Sequence, residues 1–134
     1  MDASRQVDLD SASAGVTLDS EYIELAAEVF SLLSDPTRIR LVVALINSEH
    51  SVGELATMVG KQGPAVSQHL AKLRWAHIVI PRQEGNRVYY RLVDEHAVAL
   101  ITQAVYQAEH VVEFLPRHHL EAGGADDPLP GGGR

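Results

Sequence analysis

Apolar residues recur at three- and four-residue spacing over much of the chain, which predicts helices that each bury one face. The first helix is expected to begin near Asp19 or Ser20. The second is expected to begin at Asp35-Pro36, because Asp suits the N-cap and Pro the first helical position. The expected buried residues are Ile23, Ala26, Ala27, Phe30 and Leu33 in the first helix, and Ile39, Val42, Val43 and Ile46 in the second.

Two shorter helices follow residues 47–50, which are expected to be a simple connection. Ser51 and Glu54 have the spacing of a capping box, in which each side chain bonds the other residue's backbone N–H. That helix is expected to end at Val59, with Gly60 in a left-handed turn, and Pro64 opens the next. The expected buried residues of the latter are Val66, Leu70, Leu73 and His77. Two short helices joined by a glycine-containing turn predict a helix-turn-helix.

The next segment predicts a β-hairpin, or wing, and then a last helix. Residues 78–80 and 88–92 are rich in β-branched and aromatic residues, and 81–87 are expected to connect them. Tyr89 and Tyr90 should then point one to the core and one to solvent, while Trp75 and His77 are expected to pack. The last helix should run from Glu95 to about Leu115 with Asp94 as N-cap. It is apolar over most of its circumference, which predicts burial on two sides, one of them against a second subunit.

The predicted fold is mainly α, with a small β-hairpin: a winged helix-turn-helix of four helices, two strands and a fifth helix, dimeric through its terminal helices. Residues 19–115 are expected to form the domain. Residues 1–18 are polar and 116–134 are rich in Gly, Pro and Asp, so flexible tails are expected at both ends, with a histidine pair and then disorder in the second.

Composition excludes several classes of site. The chain has no cysteine, so disulfides and thiolate metal sites are excluded. No apolar stretch approaches the roughly 20 residues that span a bilayer, and no secretory signal is visible, so a cytoplasmic protein without a membrane partner is expected. The absence of an HExxH motif and of a nucleophile–base pair argues against an enzyme.

The charge distribution indicates a DNA partner, although the net charge is −7. Residues 61–91 contain six Lys or Arg and a single acid, Glu84. Polar residues near the start of the recognition helix are the candidates for base contacts: Gln62, Ser67, Gln68 and His69. The candidates for phosphate contacts are Lys72, Arg74, Arg82, Arg87 and Arg91. Taken alone, the same residues also fit an ordinary solvated face.

Histidines in the last third of the chain form a candidate metal site. His96 and His110 share one face of the last helix but lie about 21 Å apart along it, so one helix cannot bring them to one ion. Two such helices packed antiparallel would bring His96 of one chain beside Glu109 and His110 of the other. His118 and His119 follow in the tail. Spacing alone also allows surface or capping histidines.

Three stretches, Leu33–Leu41, Val66–Leu73 and Val88–Leu92, resemble the ArsR/SmtB family of metal-responsive repressors, over about residues 28–119. The resemblance implies a homodimer that binds operator DNA without metal and releases it on metal binding, derepressing a metal efflux gene.

The histidine pattern is most similar to that of the family's nickel- and cobalt-sensing members. It implies Ni²⁺ or Co²⁺ held by His96, Glu109, His110, His118 and His119, with Asp94 as a further candidate. Five or more N and O ligands suit these ions better than tetrahedral Zn²⁺. Asp94, His96 and His110 also match the zinc-sensing members, in which a further His would replace Gln107. A zinc-responsive repressor and a metal-independent dimeric DNA-binding regulator are the alternatives.

Overall fold

The computed structural model describes residues 16–115, and the chain divides into two compact units between Asp94 and Glu95. The first unit contains α1 (Ile23–Leu33), α2 (Pro36–Ala44), β1 (His50–Ser51), α3 (Val52–Val59), α4 (Gly63–Trp75), β2 (Val79–Glu84) and β3 (Arg87–Leu92). The second contains α5 (His96–Glu113). The predicted winged helix-turn-helix architecture is confirmed. The predicted tails lie outside the described residues, except for 16–18.

Two helix starts are capped as the sequence predicts. The Asp35 carboxylate accepts hydrogen bonds from the backbone N–H groups of Thr37 (2.8 Å) and Arg38 (3.1 Å). The bond from Arg38 is the main reason why the pKa of Asp35 lies below its usual value. At α3, Ser51 Oγ accepts from the N–H of Glu54 (3.1 Å), and the Glu54 carboxylate accepts from the N–H of Ser51 (3.0 Å). These bonds use N–H groups that a helix start leaves without partners.

The start of α1 was predicted three or four residues too early. Ser20 Oγ accepts from the N–H of Tyr22 at 3.1 Å, and the Asp19 carboxylate accepts from the Thr17 hydroxyl at 2.8 Å. Both candidate caps are therefore used in a turn that precedes the helix.

The core of the first unit is built around α4. Its most deeply buried side chains are Leu41, Val42, Leu55, Val66, Leu70, Leu73 and Val79. The buried stripe predicted for α4 is confirmed except at His77, whereas that of α2 is displaced. Val42 is buried as predicted and Ile39 is half-buried, but Val43 and Ile46 are about half exposed. Leu41 and Leu45, which were not predicted, are buried instead. Apolar residues are nearly continuous here, so two stripes fit the helical period equally well.

The wing belongs to a three-stranded antiparallel sheet in the order β1-β3-β2. The expected connection at 47–50 is corrected, since His50 lies in a strand opposite Tyr90. The hairpin strands are longer than predicted and meet at a two-residue turn, Gly85-Asn86, in which Gly85 has φ +62°. Tyr89 and Tyr90 are both half-buried, so the prediction of one core and one solvent-facing side chain is wrong.

The expected packing of Trp75 and His77 is also wrong within the chain. Helix α4 ends at Trp75, whose side chain is 70% exposed. His77 is exposed and has φ +62°, so it lies in a left-handed turn and not on the buried side of the helix.

The terminal helices expose many apolar side chains in the single chain. Of the stripe predicted for α1, only Leu33 is buried, and Phe30 is 59% exposed. On α5, Ala97 and Ile101 are buried, and the exposed apolar residues are Leu100, Val105, Tyr106, Val111 and Val112. Glu95, not Asp94, precedes the first helical residue, and it makes no side-chain cap bond. Among residues 16–115 there is no helix with the length and apolar character that a membrane crossing requires.

Candidate DNA-binding surface and metal ligands

Helix α4 presents a polar face opposite its buried one. Val66, Leu70 and Leu73 are fully buried, whereas Ser67 and Gln68 are exposed. Gln62, directly before the helix, is exposed too and makes no cap bond with its side chain. An exposed Gln can make a paired contact with adenine and Ser tolerates several bases, so this face has the chemistry for contacts in a major groove.

Four predicted phosphate ligands are exposed cations on the same unit: Lys72 and Arg74 on α4, and Arg87 and Arg91 on β3. A hydrogen bond with Tyr89 is the first cause that raises the pKa of Arg87. Arg87 also lines a surface depression of about 310 Å³ together with Ser51, Val52 and Gly53 at the start of α3. The side chain therefore lies near the start of α3, where the Glu54 carboxylate interacts electrostatically with it.

Arg82, the fifth predicted phosphate ligand, is paired with acids. Its Nε and Nη2 bond the two carboxylate oxygens of Glu49 at 3.2 and 2.5 Å, and its Nη1 bonds Glu84 at 2.8 Å. The guanidinium also lies 4.9 Å from the Tyr89 ring centre. The bonds from Arg82 hold the pKa of Glu49 below its usual value. Arg82 thus ties the wing to the residue before β1, a pairing across 33 positions that no local sequence signal predicts.

His69 differs from its neighbours on α4, because it is half-buried and its Nδ1 accepts a hydrogen bond from Arg38 Nε at 3.1 Å. Sequence reasoning proposed His69 for base contact and did not single out Arg38. The two residues are 31 positions apart, so only the tertiary fold brings them together.

The predicted metal ligands are only partly assembled in one chain. Glu109 and His110 line a depression of about 280 Å³ on α5 together with Gln103, Tyr106, Gln107 and Glu113. His96 stands at the other end of the 18-residue helix. Among residues 16–115, no three His, Cys, Asp or Glu side chains are grouped closely enough to hold an ion. His118 and His119 lie outside the described residues.

The donor set nevertheless fits a transition metal. His96, Glu109 and His110 are exposed and supply imidazole nitrogens and a carboxylate, which are ligands that Ni²⁺, Co²⁺ and Zn²⁺ accept. A site with more than two of these donors needs a second chain or the residues beyond 115.

Comparisons with known proteins agree with this geometry. Residues 35–80 match the family model described as bacterial regulatory protein, arsR family. The chain is 48% identical over 107 residues to the HTH-type transcriptional regulator KmtR of Mycobacterium tuberculosis, covering 80% of this chain and 82% of the relative. It is 32% identical to the regulator NmtR of the same organism, covering 79% and 88%. A homodimeric winged helix-turn-helix DNA-binding domain from Mycobacterium bovis superposes with a TM-score of 0.62 at 25% identity, covering 75% of this chain and 96% of that one.

Proposed function

Because this chain belongs to the ArsR/SmtB family of bacterial regulatory proteins, we propose that its metal-free homodimer represses transcription by binding an operator and that nickel or cobalt causes release. As a family member the chain is a metal-responsive, DNA-binding transcriptional repressor and not an enzyme. The gene that it derepresses is a metal efflux gene, and it acts in the cytoplasm, where the operator lies.

The placement of ligands along α5 carries this proposal. His96 and His110 share one face of the helix but stand about 21 Å apart, so donors from two chains are needed to complete a site. In a symmetric dimer with antiparallel α5 helices, His96 of one chain would meet Glu109 and His110 of its partner, and the site would occur twice. We add His118, His119 and Asp94 to the proposed ligand set.

The metal, when bound, supplies a cross-link between the two subunits. The side chains of α5 would bind the ion, and α4 and the wing would contact the DNA. The two states must differ in affinity for both metal and DNA, since an effector that binds two states equally shifts nothing. Release therefore requires that the linked dimer hold its two α4 helices at a spacing that fits the two half-sites less well.

For DNA contacts we propose that the exposed polar residues at the start of α4 and on its exposed face contact bases, and that four exposed cations contact phosphates. The first group is Gln62, Ser67 and Gln68; His69, also predicted for base contact, is half-buried and bonded to Arg38. The second is Lys72, Arg74, Arg87 and Arg91. Arg82 can contact a phosphate only if it breaks its ion pair with Glu49 or Glu84.

The direct test uses a DNA duplex selected by the metal-free protein from a random-sequence pool at pH 7.5. Fluorescence anisotropy should show that Ni²⁺ and Co²⁺ each weaken binding, by about 5- to 150-fold, the usual range of allosteric coupling. Calorimetry should show one metal site for each subunit. A larger effect of Zn²⁺ would instead support the zinc-type site of Asp94, His96 and His110, and no effect of any metal would refute metal control.

Substitutions should separate the two classes of DNA contact. Arg87→Ala and Lys72→Ala are each expected to weaken binding to all sequences and to reduce the slope of log affinity against log salt by about one. Gln68→Ala should change the preferred bases in a repeated selection and leave the salt slope unaltered. Arg40→Ala removes an equal, exposed charge from α2 and is the control. Wild-type affinity and preference in all three variants would refute the assignment.

A further inference from the structure

One guanidinium connects three helices of the first unit. Arg38 lies in the first turn of α2, and its Nη1 donates to the Leu32 carbonyl in the last turn of α1 at 2.9 Å. Its Nε donates to His69 Nδ1 on α4 at 3.1 Å. Helix α4 carries the exposed Ser67 and Gln68, so this pair joins the DNA-binding helix to the corner between α1 and α2.

The hydrogen bond from Arg38 requires one particular protonation state of the His69 imidazole. Arginine keeps its protons at any pH that a folded protein tolerates, so the Arg38 Nε–H can only donate. Only an imidazole whose Nδ1 carries no proton can accept this bond, so the contact requires the neutral ring with its proton on Nε2. His69 follows Gln68 directly and is half-buried, so a shift of its ring would be passed to the neighbouring residues that face DNA.

We propose that Arg38 and His69 are positioning residues that orient the recognition helix for DNA binding, and that only the neutral imidazole performs this role. Protonation of His69 would remove the acceptor and place two cations in contact. The Asp35 carboxylate, at the N-cap of α2, interacts electrostatically with both residues. It offsets part of the repulsion, but it cannot restore the lost bond.

The sign of the pH effect distinguishes this role from a direct contact. A histidine that faces a phosphate binds DNA better when it is protonated, because it then adds a positive charge. A histidine that must accept from Arg38 does the opposite. DNA affinity is therefore expected to fall when acid protonates the ring and removes the acceptor.

The test compares wild type with His69→Asn, since the Asn side-chain oxygen can accept from Arg38 at the position of Nδ1 and does not titrate. Affinity of the metal-free full chain for the selected duplex is measured from pH 8.0 to 5.5 at constant salt with a chelator. Wild type should lose about tenfold more affinity over this range than His69→Asn, as expected for loss of a charged hydrogen bond. The other histidines are present in both proteins, so the difference between the two profiles isolates His69.

Two further variants complete the design. His69→Ala should bind weakly at every pH, and Arg38→Lys, which keeps the charge but not the planar fork, should bind about as weakly as His69→Ala. Chemical unfolding of each variant checks that the fold is intact. Identical pH profiles for wild type and His69→Asn would overturn the proposal. So would a wild-type affinity that rises at low pH relative to His69→Asn, which would assign His69 to a phosphate. Loss of DNA binding by wild type itself at pH 7.5 would instead refute the assigned repressor function.

Discussion

Replacing His110 by alanine, or His96 by alanine, is expected to abolish DNA release at metal concentrations that release the wild type, and to leave metal-free binding unchanged within about twofold. Each change removes an imidazole ligand, and loss of a supporting residue alone costs metal sites about 10- to 100-fold in affinity. The Ni²⁺ concentration needed for release should therefore rise at least about 100-fold. Metal-free binding is spared because both residues lie on α5, whereas the proposed DNA contacts lie on α4 and the wing. Anisotropy titrations with and without metal measure both quantities.

Gln107→Ala is the matched control, because Gln107 lines the same depression as Glu109 and His110 but should not bind the ion. Glu109→Gln should weaken metal binding by removing a charged oxygen.

Truncation after Leu115 separates the two proposed ligand sets. Without His118 and His119 the chain should lose affinity for Ni²⁺ and Co²⁺ and retain Zn²⁺ binding through Asp94, His96 and His110. A truncated chain that responds to Ni²⁺ as well as the full chain would exclude the histidine pair as ligands.

Replacing Val105 by glutamate is expected to break the dimer. Val105 is an apolar residue of α5 that is 48% exposed in the single chain, as expected for a side chain that a second subunit covers. In a symmetric interface the new carboxylate occurs twice, and burying an unpaired charge costs several kcal/mol. We expect the dimer dissociation constant to rise at least about 100-fold, which corresponds to a penalty near 3 kcal/mol. Operator affinity should fall with it, because a monomer contacts one half-site.

Gln83→Glu adds the same charge at an exposed position of β2, outside α5, and should leave a dimer. Sedimentation equilibrium gives the dissociation constants, and circular dichroism checks that the helices remain. Ala108→Glu, one turn further along, is a second test of the same face. A folded Val105→Glu dimer with wild-type stability would place the interface elsewhere.

Much of the first unit follows from local chemistry. Asp35, the Ser51–Glu54 box and Gly60 each determine a helix boundary through hydrogen bonds or backbone geometry within four residues, so the sequence alone predicts them. The buried stripe of α4 is equally clear, because polar residues separate Val66, Leu70 and Leu73. The stripe of α2 was partly misplaced because all six residues from 41 to 46 are apolar, so helical periodicity does not distinguish one buried face from another there.

The sequence by itself determined the class of the protein: a cysteine-free winged helix-turn-helix with a basic segment inside an acidic chain and a histidine-rich last helix. Only the tertiary structure showed which side chains act together. It paired Arg82 with Glu49 and Arg38 with His69, added His50–Ser51 to the sheet, and left the apolar faces of α1 and α5 exposed in the single chain. The physical reason is the separation along the chain over which each interaction acts. Caps and periodicity act over one or two helical turns, whereas an ion pair or a strand pairing between distant residues exists only after the chain has folded.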